Sequence, residues 1–230
     1  MSEDARATTV LLVGALLVRL SIGGAYARYV RVGMGPWLLV AGLLLVALGL
    51  AGVIRALAAK RPAADPHGDH EHGERVGWLL LAPVLALLLV TPPALGSYGV
   101  DRNASVKVTA GDKTFDPLPA GRTAPMTLLE FDERAADHHG ASMGSTPVRL
   151  TGFVARTNDN GGFRLARYQI ACCAADAVAA VARVTGAIGD QPARDRWVTV
   201  TGTYRRSADG VPELQASSLT EIPPPADPYE

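Results

Sequence analysis

The sequence predicts a membrane protein with three N-terminal transmembrane α-helices, followed by a mainly-β extracytoplasmic domain shaped as an OB-like small barrel with one flanking helix. Three observations predict this class. Apolar residues are concentrated in the N-terminal part of the chain, short alternating segments follow in the C-terminal part, and positive charges cluster between apolar segments. The formal net charge of zero argues against a nucleic-acid partner, because such partners usually require a clustered basic excess.

Three apolar segments have about the length that crosses a hydrocarbon core. They cover residues 8–27, 37–57 and 78–95. Trp37 begins the second segment as an interfacial anchor, and Ala47 and Ala51 are small residues where another helix could approach closely. The three segments define a membrane anchor over residues 1–95.

The first segment carries Arg19 near its middle. A central arginine is costly in a bilayer, so it usually faces a partner helix or a water-filled space. We therefore predict that Arg19 contacts a partner within the membrane. Two alternatives stay open: Arg19 reaches one interface through its long side chain, or the segment is a signal peptide cleaved after Ala27, although acidic Glu3 and Asp4 oppose that interpretation.

The distribution of positive charge predicts the orientation. Cytoplasmic loops carry an excess of lysine and arginine. The N-terminal tail has Arg6. The connection between the second and third segments is more basic than the first connection, and its basic residues are Arg55, Lys60, Arg61 and Arg75. The prediction is a multi-pass protein of the cell membrane with a cytoplasmic N-terminus and an extracytoplasmic C-terminal domain.

The cytoplasmic loop at 58–75 is rich in histidine. His67, His70 and His72 alternate with carboxylates. Imidazole and carboxylate together are ligands for zinc, nickel or copper, and a short His-rich tract is a compositional sign of metal binding. A solvated polar linker explains the same residues.

Residues 96–125 read as a tether because they are rich in Gly, Pro and Asp, with one short strand at 106–109. The domain then covers residues 126–230. Thr127 and Glu130 form a capping-box pattern, which predicts a helix from Leu128 to about His138 that stops at Gly140.

Strand patterns fill the rest of the domain. Five short alternating segments are separated by turn-forming residues, and they cover 148–155, 163–170, 178–185, 197–204 and 213–222. Five strands with a helical turn near the middle fit a small, partly open barrel of OB type.

Both cysteines lie in the connection after the second strand. Cys172 and Cys173 are adjacent, and consecutive Cα atoms are about 3.8 Å apart, too close for an unstrained disulfide. In a helical turn Asp176 would share a face with either cysteine, which suggests a mixed sulfur and oxygen metal site, although two or three ligands do not fill a tetrahedral shell. A labile redox switch and two small buried core residues are the alternatives.

The chain resembles a bacterial family of two-component permease subunits, membrane proteins whose C-terminal domain of unknown function bears a Cys-Cys-x-x-Asp-Ala motif. The matching segments are Leu150-Thr151-Gly152-Phe153-Val154, Ala166-Arg167-Tyr168-Gln169-Ile170, Cys172 to Ala177, Trp197 to Gly202 and Pro228-Tyr229. The resemblance implies a separate multi-span permease as partner and a link to transition metals, zinc above all. Val178-Ala179-Ala180 departs from the family, where many members have a proline.

The resulting hypothesis is an accessory permease subunit, not an enzyme, whose outer domain presents Cys172, Cys173 and Asp176. Its partners would be the permease and membrane lipid, and zinc or another divalent transition metal would be its cofactor. A membrane-tethered thiol redox protein is one alternative, although the usual Cys-x-x-Cys spacing is missing. A structural outer domain that stabilises a partner is the other.

Overall fold

The computed structural model describes residues 3–58, 82, 86, 89–90, 93–100, 114–157, 162–186, 189–207 and 210–230. The chain divides into two compact units, Met1–Pro93 and Ala94–Glu230. Several predicted features fall outside the described residues: His67, His70 and His72, most of the third apolar segment, and the short strand at 106–109. These features stay predictions.

The first unit contains two helices, α1 (Glu3–Ile22) and α2 (Gly35–Ala58). One helical stretch in the described part of the chain, Val32–Ala58, is long and apolar enough to cross a membrane. This is coarse support for membrane association, and three spans with a defined orientation stay predictions. Arg19 lies in the last turn of α1 rather than near its middle, because that helix begins at Glu3.

The two helices pack through glycines. A Cβ atom on Gly49 would lie 2.6 Å from the backbone nitrogen of Leu11, and one on Gly14 would lie 2.7 Å from that of Val46. Gly42 and Gly49 are buried, whereas Ala47 is exposed. The close approach of helices expected at Ala47 therefore occurs at glycines, which let backbones come closer than alanine does.

The second unit is a mainly-β domain. Its five long strands are β2 (Val148–Thr157), β3 (Phe163–Gln169), β4 (Val178–Thr185), β5 (Trp197–Arg205) and β6 (Glu213–Ile222). They form a closed ring in the order β2-β3-β4-β6-β5, with β5 returning to β2. All contacts in the ring are antiparallel except β4 with β6. A two-residue strand, β1 (Ala124–Pro125), pairs in parallel with the start of β2.

Apolar residues cover both sides of β3 and β4. Because side chains alternate along a strand, Leu165 faces the interior of the ring while Ala166 and Tyr168 face outward. The interior is filled mainly by aliphatic residues that include Leu150, Leu165, Val184, Val198, Val200 and Leu214. The outer side forms a second apolar cluster of Val100, Phe153, Tyr168, Val181, Trp197 and Tyr229.

The segment from Ala94 to Val100 covers that outer cluster. It ends in a short helix, α3 (Ser97–Val100), within the stretch predicted as a tether. The Tyr168 hydroxyl donates to the carbonyl oxygen of Gly96 at 3.1 Å, and the Asp195 carboxylate accepts from the amide of Ser97 at 2.7 Å. The chain thus enters this unit across the outer face of the strands.

The flanking helix is α4 (Leu128–Ala136), and its Leu128 and Phe131 are buried against the interior. The Thr127 hydroxyl accepts from the Glu130 amide at 3.0 Å, as the capping pattern predicts. The Glu130 carboxylate, which in a full capping box would accept from the Thr127 amide, instead binds Arg134 at 2.8 Å. The helix ends at Ala136, before the predicted His138. His138 and His139 have positive φ angles of 44° and 59°, so they cannot continue a right-handed helix.

Asp132 of α4 provides a pH-dependent prediction. Partial burial and the neighbouring Glu133 raise the pKa of this carboxyl from 3.8 to about 6. The folded state therefore holds a proton that the unfolded state releases, and stability declines as the pH rises from about 4 to 6. We expect Asp132→Asn to remove this decline and to raise the free energy of unfolding at neutral pH by about 1 to 2 kcal/mol, after allowance for solvent screening.

This prediction can be measured on the full chain in detergent by urea unfolding, with hydrogen exchange of the strand amides of the mainly-β unit as the local readout. The exposed Asp116→Asn is the matched control. Parallel pH profiles for wild type and Asp132→Asn would contradict the assignment.

Candidate functional site

The two cysteines lie on the connection between β3 and β4. Gln169 at the end of β3 pairs with Val178 at the start of β4, so the connection is held at both ends. Between them, Ala174–Asp176 forms one 3-10 turn, and Cys173 directly before it has an extended backbone. This change from strand to turn brings Cys172, Cys173 and Asp176 together; we call these three residues the Cys-Cys-Asp group.

The carboxylate of Asp176 organises this turn. Its Oδ1 atom accepts from the amide of Ala171 at 2.9 Å, and its Oδ2 atom accepts from the amides of Cys172 at 2.9 Å and Cys173 at 3.3 Å. The Asp176 amide in turn donates to the carbonyl oxygen of Cys173 at 3.1 Å. Asp176 therefore holds the backbone that carries both thiols, in addition to offering an oxygen ligand.

The ligand atoms of the Cys-Cys-Asp group all lie within 4.8 Å of one another. Cys172 is exposed and Cys173 is partly exposed, and both are free thiols. The alternative in which both cysteines are buried core residues is therefore wrong. Among the residues that the structure describes, this is the one group of His, Cys, Asp and Glu side chains with metal-binding spacing.

Electrostatics couple the thiols to the carboxylate. The hydrogen bond from Cys172 to Asp176, followed by one with Cys173, raises the pKa of the Cys172 thiol from 9.0 to about 11. The same thiol and the backbone amides lower the pKa of Asp176 to about 2. Without a metal, Asp176 is thus ionised at neutral pH and Cys172 is protonated, so a metal ion must displace a proton to bind the sulfur.

A second polar cluster adjoins the end of β3 and was not found from the sequence. The carboxylate of Glu230 accepts from the Leu128 amide at 3.0 Å and from the side-chain amide of Gln169 at 3.2 Å. The Arg167 guanidinium lies 3.7 Å from the same carboxylate and donates to the carbonyl oxygen of Asp227 at 2.9 Å. Because these contacts join distant parts of the chain, no local pattern signals them.

The fold and the site together define a small mainly-β domain that presents an exposed Cys-Cys-Asp group on one loop. A DUF1980 C-terminal domain is found at residues 135–230, which contain the five long strands and the Cys-Cys-Asp group. The expected resemblance is therefore confirmed for this uncharacterised domain, and the permease context stays a prediction. No curated protein matches the chain.

Proposed function

We propose that the chain is a membrane-anchored accessory subunit of a two-component permease, and that the Cys-Cys-Asp group binds a transition metal such as zinc. One observation carries the metal proposal: two accessible thiols and a carboxylate on one loop have ligand atoms within 4.8 Å of one another. Thiolate and carboxylate oxygen are both established zinc ligands.

The exposure of the group favours exchange over permanent storage. Structural zinc sites are closed by four protein ligands, whereas three protein ligands leave a position for water or an incoming ligand. Cys172 and Asp176 are exposed, so a metal held here could be taken from solution and passed to another protein. This chemistry suits a subunit that presents metal to a permease.

The remaining architecture follows the same proposal. The closed ring of β2 to β6 supports an OB-like barrel. We place this barrel outside the membrane, behind three spans with a cytoplasmic N-terminus. The partner would be a multi-span permease that contacts the spans, with Arg19 as one contact, and the chain itself would have no catalytic activity.

The thiol redox alternative receives less support. A protein that exchanges disulfides needs an accessible cysteine with a lowered pKa, because the thiolate is the nucleophile. The pKa of Cys172 is instead raised to about 11. A purely structural outer domain stays an alternative, and the metal-binding experiment separates it from the proposal.

The test is the metal content of the full chain, purified in detergent without chelator and then equilibrated with zinc. His67, His70 and His72 are replaced by Asn in every sample, so that the His-rich loop cannot contribute. We expect about one equivalent of zinc with the native cysteines and none in Cys172→Ser, Cys173→Ser, because two of the three ligands are lost. Ala174→Ser, which adds a hydroxyl to the same turn, should bind normally. Equal zinc in the double variant would refute the site.

A further inference from the structure

A row of arginines crosses the outer face of the barrel. Arg156 of β2, just after a β-bulge in that strand, pairs with Arg164 of β3, and Arg164 lies directly opposite Arg183 of β4. The neighbours of Arg164 and Arg183 along their strands, such as Leu165 and Val184, face the interior. The three guanidinium groups therefore share the outer side of adjacent strands, and we call them the arginine row.

The row continues on β6 and β5 with a single carboxylate. Arg183 is in register with Glu213, which is in register with Arg205. Arg183 donates to the Ser207 hydroxyl at 3.0 Å, and Glu213 accepts from the Thr185 hydroxyl at 2.9 Å. Within the described part of the chain, the side chains of Arg156 and Arg164 form no hydrogen bond and no ion pair.

Such an arrangement is unfavourable without an anion. Like charges directly opposite each other on neighbouring strands repel. The whole chain has a formal net charge of zero, so the row is a local concentration of charge and not part of a generally basic protein. Guanidinium groups bind phosphate oxygens in bidentate geometry. We propose that the arginine row binds the phosphate headgroups of anionic phospholipids in the membrane that carries the chain.

The segment that enters the domain favours lipid over other polyanions. It crosses the same outer face, where it leaves Tyr98 68% and Leu95 38% exposed. Tyr168, which binds this segment at Gly96, lies four residues along β3 from Arg164, or about 13 Å. The exposed Tyr98 and the arginine row thus belong to the same outer face, and tyrosine and clustered arginine are both residues that favour the lipid headgroup layer. The inference rests on the membrane attachment proposed above, but not on the metal site.

The experiment uses the full chain in nanodiscs of phosphatidylcholine alone or mixed with phosphatidylglycerol. Phenylglyoxal modifies arginine, and mass spectrometry gives the rate at each position. We expect phosphatidylglycerol to slow the modification of Arg156 and Arg164 about fivefold or more, and high salt to remove the effect. Arg149, an exposed arginine at the other end of β2, is the internal control and should react equally in both lipids.

Two variants sharpen the result. Arg183→Gln should weaken the protection of Arg164, because the phosphate loses one of its binding groups. Asp159→Asn removes the carboxylate nearest to Arg156 in the sequence, at a position outside the described residues, and should leave the lipid-dependent protection intact. Loss of that protection would mean that a carboxylate of the chain was responsible, and would overturn the inference.

Other outcomes also decide. Equal phenylglyoxal modification rates for Arg164 in the two lipid mixtures would overturn headgroup binding. Slower modification that appears only when an acidic peptide is added would also overturn it, and would assign the arginine row to a protein partner. Failure of the chain to enter nanodiscs at all would refute the membrane attachment itself.

Discussion

Replacing Glu230 by Ala is expected to lower the free energy of unfolding of the mainly-β unit, Ala94–Glu230, by about 3 kcal/mol. The Glu230 side chain is 4% exposed and is the acceptor for the Leu128 amide at the start of α4. Its removal would leave that amide and the side-chain amide of Gln169 without their acceptor. The partly buried Arg167 guanidinium would also lose its carboxylate partner.

Glu230→Gln is the matched control. Burial raises the pKa of Glu230, so the charged form is disfavoured in the folded state despite its hydrogen bonds. A neutral amide keeps one acceptor oxygen for Leu128, and we expect a loss of about 1 kcal/mol or less. Urea unfolding of the full chain, followed through hydrogen exchange of α4 and β3, measures both variants. Equal losses for Ala and Gln would show that the charge, and not the acceptor, stabilises the helix start.

The sign of the pH effect follows from the same pKa. Because the folded state of the wild type holds its proton to a higher pH than the unfolded state does, its stability declines as the pH rises above the ordinary range of a glutamate. Glu230→Gln cannot release a proton and should lack this part of the decline.

The strands could be predicted from sequence because their signals are local. Alternating side chains and turn residues placed two strands with their observed ends, Val178–Thr185 and Glu213–Ile222. The end of α4 could not be predicted in this way. A Cβ atom on Gly140 would overlap the ring of Tyr204 on β5. This contact between distant parts of the chain accompanies the left-handed backbone at His138 and His139.

The candidate site was predictable in composition but not in its internal bonding. Spacing alone places Asp176 near both cysteines, because residues three and four apart meet in a helical turn. The Asp176 carboxylate accepts from three successive amides, those of Ala171, Cys172 and Cys173. This bonding depends on the extended backbone at Cys173, which the pattern of residues does not specify. Glu230 and Leu128 are separated by 102 positions, so their contact requires the folded domain.

The bonding of Asp176 leads to a prediction with two opposite readouts. In Asp176→Asn the side chain keeps one acceptor oxygen and loses its charge, so it can no longer hold the amides of Ala171, Cys172 and Cys173 together. Loss of a group that only orients metal ligands typically costs 10- to 100-fold in affinity. Because Asp176 is also one of the three proposed ligands, we expect zinc affinity to fall by at least about 10-fold.

Thiol reactivity should change in the other direction. The hydrogen bond to Asp176 is the main reason that the pKa of Cys172 is raised, so its loss should lower this pKa and speed alkylation of metal-free protein at mildly alkaline pH. Zinc titration and iodoacetamide labelling of the full chain give the two readouts, with the exposed Asp190→Asn as control. A variant that merely unfolds the turn would lose zinc but would also lose protection of the β3 and β4 amides from hydrogen exchange. Asp176 would be identified as the residue that sets both the geometry and the protonation of the thiols if the variant keeps its amide protection, binds zinc more weakly and is alkylated faster. Unchanged zinc affinity would remove Asp176 from the site.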